Sequence, residues 1–169
     1  MRNPGRWFLL AVCILFNAAL TTPKAPELTE LSTRAAGVFV GRVVEQKAAW
    51  DAPHRLIVTQ THFVVEQWVK GSGGTTQVVT EIGGTVDGTT LENPARAVFQ
   101  PGQRYLVFLT PRFSGGTRTL WGPYGSARVE GPKGQETITS LGDGGAGRTG
   151  QLVPLDGVLQ RVKQLGGGQ

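Results

Sequence analysis

Gly37-Val-Phe-Val-Gly-Arg-Val-Val-Glu45 and Leu56-Ile-Val-Thr-Gln-Thr-His-Phe-Val-Val-Glu-Gln-Trp-Val-Lys-Gly71 decide the fold, and Phe99-Gln-Pro-Gly-Gln-Arg-Tyr-Leu-Val-Phe-Leu109 repeats their character. All three runs are rich in β-branched and aromatic residues, are bounded by Gly, Pro and polar clusters, and lack sustained helical periodicity. In the first, Val38, Val40 and Arg42 alternate with Phe39, Gly41 and Val43, and Gly37 and Gly41 predict a sharply bent strand. In the second, Ile57, Thr59, Thr61, Phe63, Val65 and Val69 share the predicted core face, opposite Gln60, His62 and Glu66. Residues 104–109 are continuously apolar apart from Arg104, which suits a strand buried on both faces.

Turn signals extend the pattern in both directions. Residues 70–76 lead into a strand at 77–82, Gly83-Gly84 breaks it, and 85–90 returns as a short hairpin. An irregular loop follows at 92–100, then the Pro101-Gly102 turn, further strands at 117–123 and 125–130, a turn at 131–134 and a strand at 135–139. Seven to eight short strands in about a hundred residues predict an all-β domain closed into a barrel. Residues 142–150 are Gly-rich with too few apolar groups to offset ordering entropy, so no fixed structure is expected there. Leu155, Val158, Leu159 and Val162 recur at helical spacing and predict an amphipathic C-terminal helix packed on the barrel. A short helix near Thr29 or Glu27, with Leu28 and Leu31 on one side, is expected to tether the barrel. The chain thus divides into a signal segment (1–22), a linker with a short helix (23–35), the barrel (36–140), the Gly-rich loop (141–152) and the C-terminal helix and tail (153–169).

The N-terminus carries an export pattern. Arg2 and Arg6 precede a mostly apolar stretch from Trp7 to Leu20, the length of a signal-peptide core and short for a membrane span. Cleavage is expected between Ala19 and Ala25, with retention as an N-terminal anchor as the alternative. Cys13 is read as an apolar residue of that segment, because Val12 before it departs from a lipoprotein signal. The mature chain then has no Cys, hence no disulfide and no thiolate metal site, which fits a bacterial exported protein. The formal charge of +5 includes Arg2, Arg6 and Lys24. Without them 14 basic residues face 12 acidic ones, about +2 and evenly interspersed, so no electrostatic footprint for nucleic acid is present.

The stretch from Ala36 to Glu130 resembles a widespread group of uncharacterised bacterial exported proteins. The resemblance rests on Val40-Gly41-Arg42-Val43, Trp50-Asp51, Val64-Val65-Glu66 through Val69-Lys70-Gly71, Gly83-Gly84, and Phe99-Gln100-Pro101-Gly102 with Leu106-Val107-Phe108-Leu109. It implies a small closed or partly open OB-like barrel, similar in topology to the inhibitory domain of tissue inhibitors of metalloproteinases. Those inhibitors chelate the target's zinc through an N-terminal Cys. A mature chain without Cys, with a long segment before its first strand, has no residue to which that mechanism transfers.

Chemical motifs are sparse. His54 and His62 are the histidines, and His62 and Glu66, four apart on a strand, stand about 13 Å apart and cannot share one ion. The segment Lys70-Gly-Ser-Gly-Gly-Thr-Thr76 lacks the Gly-Lys-Ser/Thr ending of a phosphate loop and joins strand to strand. No calcium loop or Gly-x-Ser-x-Gly elbow occurs. These readings assign no catalytic residue, no metal ligand and no cofactor. Trp50, Asp51, His54, Asp87, Trp121 and Tyr124 are the candidate binding residues, on rim loops including 47–54 and 84–96, where large rings can serve as stacking platforms or as plugs for the barrel end. The expected function is a secreted or periplasmic, non-enzymatic binding or interaction module. Its expected partner is an envelope or secreted protein, with membrane contact only through an uncleaved signal segment. A metalloprotease inhibitor-like or protease-associated protein is the alternative.

Overall fold

The computed structural model describes residues 26–111, 116–139 and 152–166. The expected signal segment and the Gly-rich loop at 142–150 lie outside them. The described chain is mostly β. Its elements are α1 (Leu28–Arg34), β1 (Gly37–Trp50), β2 (Ile57–Lys70), β3 (Thr76–Ile82), β4 (Gly84–Val86), β5 (Thr89–Leu91), β6 (Arg104–Leu109), a 3-10 turn (Gly122–Gly125), β7 (Ser126–Glu130), β8 (Thr137–Thr139), β9 (Leu152–Pro154) and α2 (Leu155–Gly166). Seven strands form one antiparallel sheet in the order β3-β2-β1-β6-β7-β8-β9, and β4 pairs with β5 as a separate hairpin.

Alternation on the central strands explains why the sheet is covered on both sides. Val38 and Val40 of β1 and Leu106 and Phe108 of β6 join Leu31, Leu155, Leu159 and Val162 in a cluster beneath the two helices. Phe39, Val43, Tyr105, Val107 and Leu109 point the other way and pack with Phe63, Val79, Ala97 and Phe99. Phe63 is the hub of that second cluster, edge-on to Phe39, Phe99 and Tyr105 at centroid distances of 5.3, 5.0 and 6.5 Å. Register shifts between β1 and β2 at Val38/Phe39, Val40/Gly41 and Val43/Glu45 supply the bend anticipated from the glycines. At Gly41 a Cβ would lie 2.8 Å from the Val64 carbonyl and 2.9 Å from the Phe39 ring, so the bend requires glycine.

Four sequence expectations change. The strand ladder is open, because β7 pairs with β8 instead of returning to β3. The strand expected at 117–123 is reduced to a bridge between Leu109 and Thr119, because Trp121 turns left-handed (φ 54°) and Gly122-Pro123 starts the 3-10 turn. Val69, expected on the core face with Phe63, packs in the helix-side cluster, the register shifts having turned the end of β2 across the sheet. The N-terminal helix is not a tether: Leu31 and Ser32 are fully buried, and Lys70 of β2 donates through Nζ to the carbonyls of Ser32 (2.7 Å) and Thr33 (3.2 Å). A cation on the last carbonyls of a helix is favourable both as hydrogen bond and against the helix dipole. The C-terminal helix forms as expected, burying Leu155, Leu159 and Val162, and β9 runs into it. No helix of the described residues is long and apolar enough to cross a membrane.

Candidate functional site

Three of the six sequence candidates lie in the β1–β2 hairpin end. Asp51 closes that turn: its Oδ1 accepts from the backbone N–H of Arg55 (2.7 Å) and Leu56 (2.9 Å), and its carbonyl accepts from the His54 N–H (2.8 Å). The Leu56 N–H is the largest influence holding the Asp51 carboxyl below its ordinary value, desolvation opposes it, and the Arg55 N–H adds a smaller pull in the same direction as Leu56. His54 sits left-handed (φ 58°) and its ring stacks on Trp50 at 4.4 Å, so each aromatic face covers the other. Asp87 and Gly88 (φ 48° and 79°) are the two central residues of the β4–β5 hairpin, the positive-φ pair that a tight primed turn demands. Asp51, His54 and Asp87 are turn residues, whereas Trp50, expected on a rim loop at 47–54, ends β1, which runs through 47–50 paired with β2.

Trp121 and Tyr124 come together. They line a groove of about 900 Å3 with Pro26, Glu30, Arg34, Pro94 and Pro123. The Arg34 guanidinium lies 5.3 Å from the Trp121 ring centre and 3.5 Å from Glu30 one helical turn earlier, while Trp121 also packs against the helix-side core. Trp121 thus packs against the core with a cation over its ring, and Tyr124, half-buried like it, is the second ring of the groove. The left-handed Trp121 is a strained position, costing about 1–3 kcal/mol, and such strain tends to persist at functional sites. The next residue must be glycine, since a Cβ at Gly122 would collide with the Ala95 carbonyl.

Two charged sites were not picked out from the sequence. On the helix-side face of β1, β2 and β6, beside α2, Arg104 donates through Nε to both carboxylate oxygens of Glu66 (3.1 and 2.8 Å), through Nη2 to the same group (2.6 Å) and through Nη1 to Glu136 (3.3 Å). These carboxylates keep the Arg104 guanidinium above its usual value. The Gly134 N–H, at 2.6 Å, is the main cause of the Glu136 carboxyl lying below its own. The network borders a cleft of about 1140 Å3 whose walls carry both signs of charge, including Arg128, Lys133, Glu130 and Asp156. Glu66 therefore works with arginines rather than with His62.

The second is Glu81. It is 6 % exposed on β3, and its Oε1 accepts from the Thr119 N–H at 2.9 Å. Burial pushes its carboxyl above the ordinary glutamate value, against the opposing pull of Thr119, Arg118 and Arg96. It borders a pocket of about 280 Å3 with Gln46, Thr59, Thr61, Gly84, Thr85 and the 96–99 segment. Strand parity with the buried Val79 was the available signal, since 79 and 81 share a face.

Structurally, the chain is a mostly β protein with a seven-stranded antiparallel sheet, two short helices, an aromatic groove beside the 3-10 turn and a polar pocket beside β3. Comparison with known proteins finds no matching family model, no similar curated protein and no similar solved structure.

Proposed function

We propose that this chain is an exported, non-enzymatic interaction module of a bacterial envelope or secretome, built on an OB-like barrel. The observation that carries the reading is the groove in which Trp121 and Tyr124 meet Pro26, Pro94 and Pro123 beside the Glu30–Arg34 pair. Rigid rings and prolines offer contact area at low entropic cost, and an ion pair at the rim supplies orientation. The occupant that suits such a lining is an extended segment of another envelope or secreted protein, its apolar side chains on Tyr124 and a charge answering Glu30 or Arg34.

Barrel character is supported by hydrogen bonds outside the main ladder. The Thr80 N–H donates to Thr117 (2.8 Å), the Thr110 N–H to Arg118 (2.9 Å), and the Leu120 N–H to Phe108 (2.8 Å). Residues 117–120 thereby bridge β3 and β6, the seam an OB-like closure needs.

A photo-crosslinking residue placed at position 124 tests the reading in the exporting cell. A discrete adduct with one envelope or secreted protein, lost on Arg34→Glu and absent when the crosslinker sits at Thr85, is the expected result. Adducts that ignore Arg34→Glu, or none at all, overturn it.

A further inference from the structure

The pocket beside β3 has features that a merely structural hollow does not need. Its floor holds a carboxylate that is 6 % exposed, in a sheet where an apolar residue would avoid the cost of desolvating a charge. Its wall holds a fixed cation: Arg96 donates through Nη1 to the Gly83 carbonyl (3.0 Å) and the Thr59 hydroxyl (3.3 Å). The loop that carries Arg96 is itself pinned, with Asn93 Nδ2 donating to the Ile82 carbonyl (3.0 Å) and its Oδ1 accepting from the Ala95 N–H (3.1 Å). Gln46 commits its amide nitrogen to Thr61 Oγ1 (3.1 Å), and no hydrogen bond engages its carbonyl oxygen among the described residues. Gly84 keeps the wall thin, because a Cβ there would collide with the Thr59 hydroxyl.

We propose that this pocket binds a small zwitterion of the α-amino-acid class, its ammonium group toward Glu81 and Gln46 and its carboxylate toward Arg96. The charges select the class. A simple amine would meet Glu81 but also the Arg96 guanidinium, and a simple carboxylate would meet Arg96 but also Glu81. A molecule carrying both charged groups on one carbon answers both, in a partly buried setting where mismatched charge is costly. Metal ions are a poorer match, since Glu81 is the one carboxylate lining the pocket and no three ligating side chains cluster among the described residues. A volume of about 280 Å3, at the small end of ligand pockets, accommodates a free amino acid. The site lies apart from the aromatic groove, with no lining residue in common, so it stands or falls independently of the proposed interaction surface.

Titration calorimetry of the folded protein with glycine and L-serine, and with acetate and methylammonium as singly charged controls, tests the proposal. The zwitterions are expected to bind at least about tenfold more tightly than either control, a difference of about 1.4 kcal/mol. Arg96→Gln and Glu81→Gln are each expected to weaken binding by about tenfold or more, whereas Tyr124→Ala leaves it unchanged. Should a variant fail to fold, backbone amide shifts of Thr61, Glu81 and Ala97 in the unmodified protein report occupancy directly. No binding of glycine or L-serine at about 10 mM, equal binding of the controls, or shifts confined to residues outside the pocket would overturn the assignment.

Discussion

Lys70 on β2 reaches across 38 residues of sequence to hold the Ser32 carbonyl at 2.7 Å. That one ammonium group, which also reaches Thr33, fastens the C-terminal end of α1 to the sheet. Lys70→Met keeps most of the stem's packing and removes the two hydrogen bonds, so it is expected to cost about 1 kcal/mol. Leu31→Ala, which empties a fully buried site in the same helix, is expected to cost about 2–5 kcal/mol. Urea denaturation midpoints read both, and a Leu31→Ala loss no larger than that of an exposed substitution would return the helix to the role of a tether.

Glu81 gives stability a defined pH dependence. Its folded-state carboxyl lies above the ordinary glutamate value of 4.5, chiefly through burial. A raised carboxyl binds its proton more tightly in the folded state, so its favourable contribution is complete below the unfolded value and is lost as pH rises through the raised folded value. Glu81→Gln retains an oxygen for the Thr119 N–H and removes the titration. The variant is expected to lose that downward slope and to gain stability relative to the parent on the neutral side. Unfolding midpoints across the range show it, and parallel curves for parent and variant would contradict it.

Much of this arrangement was legible in the sequence because it depends on near neighbours. Alternation at Val38 to Val43 and the apolar run at Tyr105 to Leu109 placed the two central strands, and 3.6-residue spacing placed Leu155, Leu159 and Val162. The hidden parts depend on partners far away in sequence. β9 is three residues whose strand character comes from pairing with β8. The strand expected at 117–123 is reduced to a bridge at Thr119 before the 3-10 turn, whose Gly122 sits so close to Ala95 that no Cβ fits, a contact no local pattern encodes. Of the candidate residues, the alternation that made His62 visible drew notice away from Glu81, whose parity with Val79 placed a carboxylate inside. Arg104 looked like the polar start of an apolar strand, and its grip on Glu66 required knowing that β6 lies next to β1 and not next to β2.

The Phe63 ring is fully buried against three aromatic neighbours, and its removal is expected to be among the costliest single changes. Phe63→Ala should lose about 3–5 kcal/mol, and Phe63→Leu, which fills much of the volume but forfeits the edge-on ring contacts, distinctly less. A loss below about 1 kcal/mol for Phe63→Ala would mean that the second cluster is not a packed core.

Asp51 supports the β1–β2 turn as a carboxylate. Its two backbone hydrogen bonds hold the carboxyl below the ordinary 3.8, so the charged form is the one the fold favours. A depressed carboxyl contributes stability above the unfolded value and loses it as pH falls through the lower folded value. Local order at Arg55 and Leu56 is therefore expected to persist through mildly acidic conditions and to loosen only below the ordinary aspartate range. Asp51→Asn keeps an oxygen for both N–H groups and removes the charge, so its turn should show the same amide protection at neutral pH without the acid transition. Asp51→Ala removes the acceptor, and with it the protection of the Arg55 and Leu56 amides at every pH. Because the Trp50–His54 stack is built on this turn, the tryptophan fluorescence of the Asp51→Ala variant should shift as well. Hydrogen exchange of the two amides separates the acceptor from the charge: equal protection in Asp51→Ala and the parent would show that the turn is held by the backbone pair of Asp51 and Leu56 alone.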